Sequence, residues 1–330
     1  MKLLVTGGKL RPNGFDLGEG KYYDTAKLLQ IDTETLETGE LLAVSEGGNN
    51  FPSEYPNLEF TVADVEEDKL WLAMDTEIRL YSYPDLSLLK TFSHPCFHNI
   101  HSVAVKDNDL YITSTGLDMV VVLDKETGEI KQYLNAEGKP TWHRFSEDFD
   151  YRQVHSTRPH DSHPNYVFWI DDTPWVTRCT QEDAVMLTDI DQRIDISGPN
   201  KTISVHDGVV EGEYIYFTSV DSCIVIADSK SKQIVETVNL SELKGYGGLR
   251  GWCRGLYIKN GIFYIGFSRL RKTKRMEKLK WVNKLLLRGK NIEECSVLAV
   301  DLKKRKIIGD YIFPKNMIDA IYSIIPEPTN

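Results

Sequence analysis

Apolar and polar positions alternate in short runs along most of this chain, and the runs fall into groups. From Ser102 the pattern reads SVAV, KDND, LYITS, TGLD, MVVVLD, KETGE, IKQYL, so residues 102–134 predict four strands joined by tight polar turns. FTVADVEEDKLWLAMDTEIRLYSYPDLSLLKTF repeats the arrangement upstream. YVFWIDDTPWVTRCTQEDAVMLTDIDQRIDI and GVVEGEYIYFTSVDSCIVIADSKSKQIVETVNL repeat it downstream. A further unit opens at Arg254, breaks after GFSRLR and resumes with SVLAVDLKKRKIIGDYIF. Near the N-terminus, KLLVTGG and KLLQIDTETLETGELLAV supply every strand but the inner one, which AIYSII near the C-terminus can provide.

Units of about 40–50 residues with four short strands each are the signature of a β-propeller. The chain is therefore expected to be all-β, a six-bladed β-propeller forming a single domain over 1–330, with one blade closed by both termini. Such a closure leaves no sheet edge open. Two segments interrupt the repeat, a long connection over 135–163 and a basic helical insert over 269–293 in the last blade. Both are expected at the channel mouth.

Superposing the units fixes which residues share a position. With Leu110, Ile215 and Phe263 aligned, the residue nine places earlier is His101, His206 and Arg254; the other units place Asn165 and Thr61 there, and Asp319 lies close by in the closing blade. His163, two before Asn165, falls on the same face of an extended strand. The turns after the second strands should rim the same mouth, carrying Thr113, Ser114, Arg178, Thr218, Ser219, Asp221, Ser268 and Arg269 toward the histidines. The 135–163 connection brings His143, His155 and His160.

Three convergent imidazoles suit a divalent metal such as zinc, iron or calcium held by His101, His163 and His206, with a position left open for water. Without metal, His101 and His206 can act as general base and acid near neutral pH. Arg254 and Arg269 would hold an anionic group, with Asn165, Arg178, Asp221, Trp252, Thr61 and Asp319 as further substrate contacts. The expectation is an enzyme acting on a small polar or anionic metabolite, as a hydrolase, lyase or cyclase with His101, His206 and Arg254 catalytic. The alternative is a non-catalytic propeller that binds a glycan, peptide or protein. In a purely structural reading the histidines bond a neighbouring blade's backbone, Arg254 pairs with Asp64, and His94 and His98 serve their loop.

Composition narrows the partners. A formal charge of −10 over 330 residues argues against nucleic acid, which needs a basic footprint. The exception is RLRKTKRMEKLKWVNKLLLRGK, in which Met276, Leu279, Val282 and Leu286 recur at helical spacing. This segment, 269–290, offers a contact for an acidic partner or a membrane surface, or else packs as an amphipathic insert with a solvated charged face. No apolar run approaches the roughly 18 residues of a membrane span. MKLLVTGGKL is too short in apolar residues for a secretory signal. Cys96, Cys179, Cys223, Cys253 and Cys295 lack any CxxC spacing, which fits free thiols in a reducing compartment and a cytoplasmic protein. TGGKLRPNGFDLGEG is glycine-rich, but its lysine stands outside a GKS or GKT context and no helical pattern follows.

GWCRGL (251–256) and GFSRLR (266–271), with HDG (206–208), YFTSVDS (216–222) and HPNYVFW (163–169), resemble a family of bacterial propeller-like proteins of unknown function. The resemblance runs from about residue 98 to 275. It implies the propeller fold and no established reaction.

Overall fold

A computed structural model describes residues 1–197, 204–269 and 294–328. Six four-stranded antiparallel sheets follow one another along the chain. Their inner strands are Ala320–Pro326 for blade 1, Asp64–Glu66 for blade 2, Ile100–Lys106 for blade 3, Pro164–Ile170 for blade 4, Val209–Glu211 for blade 5 and Cys253–Lys259 for blade 6. The molecule is a six-bladed β-propeller. Blade 1 joins the two ends of the chain, since Ala320–Pro326 pairs antiparallel with Lys2–Leu10 and its other strands follow from the N-terminal side. The expected basic helix lies outside the described residues, apart from Arg269 at its start.

Alternation along each strand turns apolar side chains toward both neighbouring blades, and the core is divided accordingly. Trp71, Phe92, Val103 and Leu110 fill the seam between blades 2 and 3. Ala104, Val120, Val167 and Val176 fill the next, and Phe168, Trp175, Ile215 and Phe217 the one after. Similar clusters join blades 5 and 6, 6 and 1, and 1 and 2. No blade buries its own faces alone, so the ring is the folding unit.

One irregularity recurs where the inner strands begin. Ile100 faces Ser114 and Val103 faces Ile112, so His101 and Ser102 occupy a bulge. Asn165 is the extra residue between Pro164 and Tyr166. Arg254 and Gly255 form the bulge between Cys253 and Leu256, and Tyr322 the one between Ile321 and Ser323. A bulge adds a residue to one strand of a pair and re-aims a side chain. Here it turns His101, Asn165, Arg254 and Tyr322 toward the axis.

Candidate functional site

The bulges leave backbone N–H groups without ladder partners, and hydroxyls take their place. Thr113 Oγ1 accepts from the N–H of His101 (3.2 Å) and of Ser102 (2.8 Å). Thr6 Oγ1 accepts from Ser323 N–H at 3.1 Å, and Ser268 Oγ from Ile321 N–H at 3.0 Å. Thr177 donates to the His206 carbonyl at 3.0 Å, and Thr218 donates to Asp207. Thr113 and Ser268 are thus buried staples of the bulges, while Ser114 bonds His98 N–H and the Cys96 carbonyl, Thr218 bonds Asp207 and Ser219 bonds Asp221, where the repeat had suggested a rim facing ligand. Their signal was legible as the recurring VTG, ITS, VTR and FTS at second-strand ends.

The glycines of GWCRGL and GFSRLR have a matching role. A Cβ on Gly251 would sit 2.2 Å from the Ser268 carbonyl oxygen, and one on Gly266 would sit 2.5 Å from that of Arg254. Gly255 has φ +83° and donates its N–H to Asp207 at 2.9 Å. The two motifs are one packed unit that holds Arg254 in its bulge.

His101 stands at the centre of the site. Asn165 Nδ2 donates to the Val205 carbonyl at 2.7 Å, which leaves Asn165 Oδ1 to accept from His101 Nδ1 at 2.7 Å. The proton of neutral His101 is therefore on Nδ1, and Nε2 carries the lone pair. Its ring meets that of His163 edge-on at 4.7 Å and lies nearly parallel to that of His206 at 6.4 Å. Burial, then the Arg254 cation, pushes His101 down to about 3. The same two causes hold His206 well below its ordinary value. Burial and the neighbouring His101 and His160 do so for His163. All three rings are neutral at physiological pH.

His163 arrives by an unexpected route. Its backbone is left-handed, with φ 55°, like Asn99 and Ser204 in the neighbouring units, so strand alternation does not place its ring. Asp118, fully buried, fixes that turn by accepting 2.9 Å bonds from the N–H groups of Asp161, Ser162 and His163. His160 Nδ1 then reaches His163 Nδ1 at 2.6 Å.

Arg254 is 4% exposed, and its Nε and Nη2 have no hydrogen-bond partner among the described residues. Its guanidinium lies 3.8 Å over the Tyr322 ring and 5.7 Å from that of Trp252. Tyr322 donates its hydroxyl to Glu59 at 2.5 Å, and Asn57 holds the other oxygen of Glu59 at 2.9 Å. Sequence reasoning missed Tyr322 and Glu59, because a bulge and a loop bring them in. No ion pair joins Arg254 to Asp64 among the described residues; Asp64 instead accepts from Val65 and Val105 N–H.

Several expected contacts are committed elsewhere. Arg178 clasps Asp183 through Nε at 2.8 Å and Nη2 at 2.7 Å, and donates Nη1 to the Ala136 carbonyl. Arg269 pairs with Asp319 at 2.8 Å, and Asp319 also accepts from Leu10 N–H. Asp221 accepts from Ser219, and the Thr61 carbonyl accepts from Thr6. His98 bonds the Val154 carbonyl and His94 that of Gly128, both in loop roles. The donor atoms of Glu137, His143 and Asp161 lie within 4.8 Å of one another, whereas His101, His163 and His206 form no such group. Lys139 and Arg144 already neutralise the first cluster, at 2.6 Å from Glu137 and 2.8 Å from Asp161.

The 135–163 connection crosses the mouth. Tyr151 N–H bonds the Pro95 carbonyl, Gln153 reaches Asn49, and Arg158 pairs with Glu19 in blade 1. Thr157 then returns to Gly116 of blade 3. On the other side of the histidines a cavity of about 290 Å³ runs down the channel, lined by residues of the inner strands of blades 2 to 5 with their flanking loops.

No protein-family model matches this sequence, and no curated protein is similar to it. Solved structures are. A protein of unknown function from Bacteroides caccae superposes with a TM-score of 0.62 at 12% identity, covering 98% of this chain and 97% of its own. A chain in the crystal structure of a nidogen/laminin complex superposes with a TM-score of 0.58 at 11% identity, covering 100% of each. Likeness at this identity shows the fold alone. Among the described residues no helix is long and apolar enough to cross a membrane.

Proposed function

We propose that the axial site binds a small carboxylate-bearing metabolite and acts on it by imidazole acid–base chemistry, in the manner of a lyase, cyclase or hydrolase. The observation that carries this reading is the Nε/Nη2 edge of Arg254, which is buried and without a partner among the described residues. Arg178 uses the same edge to clasp Asp183 in this protein, and a planar carboxylate matches that fork. His101 Nε2, with its lone pair directed by Asn165, would take a proton. As the imidazolium so formed, His101 would return that proton to the product, with neutral His206 hydrogen-bonding the reacting group and the crossing segment excluding water.

Calorimetric titration with small mono- and dicarboxylates tests the anchor. Wild type should bind at least one, Arg254→Met should bind none, and His101→Ala should bind without turnover. Absence of any carboxylate binding to wild type refutes the reading. The metal-dependent form, with zinc, iron or calcium on His101, His163 and His206, needs the rings to rotate inward. Elemental analysis of untagged protein should then show stoichiometric metal, lost in His101→Ala and His206→Ala.

A second reading, a propeller that docks a protein, is supported by the likeness to a chain crystallised in a nidogen/laminin complex. It would work through an outer face or through 269–290, and pull-down with that segment deleted tests it. The free cysteines support a reducing, cytoplasmic setting.

A further inference from the structure

The cavity beneath the imidazoles has a chemistry of its own. Val62, Ser102 and Gly208 line it one or two residues beyond Thr61, His101 and His206 along the chain, which places it next below the ring of histidines. It reaches Ala104, three residues below His101 and so roughly 10 Å deeper at about 3.3 Å per residue. Polar and apolar surface share the wall about equally, the apolar part coming from residues such as Val62, Val103, Val167 and Val209. Of its polar side chains, Ser102 is already paired with Thr113, and two others matter here.

Asp64 is the first. Its Oδ1 accepts from Val65 N–H at 2.8 Å and its Oδ2 from Val105 N–H at 2.7 Å. A carboxylate oxygen has two lone-pair sites, so each keeps one for another donor. Tyr166 is the second, half-buried in the wall near Asp64. Arg254, by contrast, stands at the level of Thr61, three residues above Asp64. The channel therefore presents a cation above the cavity and an acceptor pair within it, with valines among the residues between.

We propose that Asp64 and Tyr166 form a subsite for an ammonium group, so that the ligand of the axial site is an ω-amino carboxylic acid, with its carboxylate on Arg254 and its amine toward Asp64. This rests on the carboxylate reading of Arg254. The separation along the channel favours a chain of several methylenes over an α-amino acid, and the valine walls suit those methylenes. Burial pushes the Asp64 carboxyl up to about 6, and an ammonium beside it would favour the ionised form.

Isothermal titration with matched pairs tests the subsite: butyrate against 4-aminobutyrate, and hexanoate against 6-aminohexanoate. In wild type one amino acid should bind about tenfold or more tighter than its plain acid, the gain expected of a charge-assisted bond. Asp64→Asn and Tyr166→Phe should each bring the pair to within about twofold while plain-acid affinity holds; the second variant guards against a fold defect in the first. Equal affinities within both pairs in wild type overturn the ammonium subsite and leave the Arg254 anchor standing. Plain-acid binding that survives Arg254→Met overturns the anchor itself.

Discussion

Replacing Arg254 by methionine should make the ligand-free protein more stable. The guanidinium is 4% exposed and two of its nitrogens lack hydrogen-bond partners among the described residues. Desolvating such an ion costs several kcal/mol, and each orphaned donor adds about 1–3. Against this stand the stacking on Tyr322, worth about 2 kcal/mol when desolvated, and the attraction of Asp207. Methionine fills a similar volume without a charge, and exchanging buried ions for apolar groups is commonly neutral or stabilising by about 1–4 kcal/mol. The balance predicts a gain of about 1–2 kcal/mol. With 330 residues and about 2.1 cal/mol/K of unfolding entropy per residue, the midpoint should rise by about 1.5–3 °C. Differential scanning calorimetry at pH 7.5 without ligand measures it, paired with the loss of carboxylate binding. A buried ion that lowers stability in the ligand-free protein is the trade expected of a binding site. A loss of more than about 1 kcal/mol in Arg254→Met would refute the reasoning and make Arg254 a brace between blades.

Three further outcomes follow from the geometry. Asp118→Ala orphans the N–H groups of Asp161, Ser162 and His163 and frees Arg144. Urea unfolding should show a loss of about 3–5 kcal/mol, and limited proteolysis should cut within 155–163; an unchanged urea midpoint would remove Asp118 from its role. Gly251→Ala forces the Ser268 backbone away from a 2.2 Å contact, and should cost about 1–3 kcal/mol while weakening carboxylate binding through displacement of Arg254. Acidification should destabilise the protein. His98, His101, His163 and His206 have lowered values in the fold, so below about pH 6.5 the unfolded chain takes up protons they do not, and their contribution, full above that pH, is lost as pH falls. Asp64, Asp75 and Asp207, raised to about 6, 7 and 6 mainly by burial, act the opposite way, favouring the fold at low pH and losing that contribution as pH rises through 6 to 7. The histidines outnumber them, so the urea midpoint should imply a loss on the order of 1 kcal/mol per pH unit between 6.5 and 5; a midpoint that rises on acidification contradicts the assignment.

Strand period and turn chemistry are local properties, and they determined the six blades, the closure of blade 1 by AIYSII, and the common position of His101, His206 and Arg254. Nothing beyond alternation and spacing was needed, because each blade repeats the same four-strand solution. The bulges were not legible in that way. An extra residue is invisible until a strand is paired, and it was the pairing that turned Arg254 and Tyr322 inward and set Thr113 and Thr177 to bonding backbone. His163 reached the site through a left-handed turn held by Asp118, an interaction 45 residues apart along the chain. Arg178 and Arg269, both plausible anion contacts by type and place, turned out to have carboxylate partners already. Which buried cation remains unpartnered is a question of three-dimensional neighbours. The sequence determined where around the ring the polar side chains stand, since position follows from the repeat. Only the tertiary structure decided which of them face the channel with donors and lone pairs to offer, because that depends on what every packed neighbour has already satisfied.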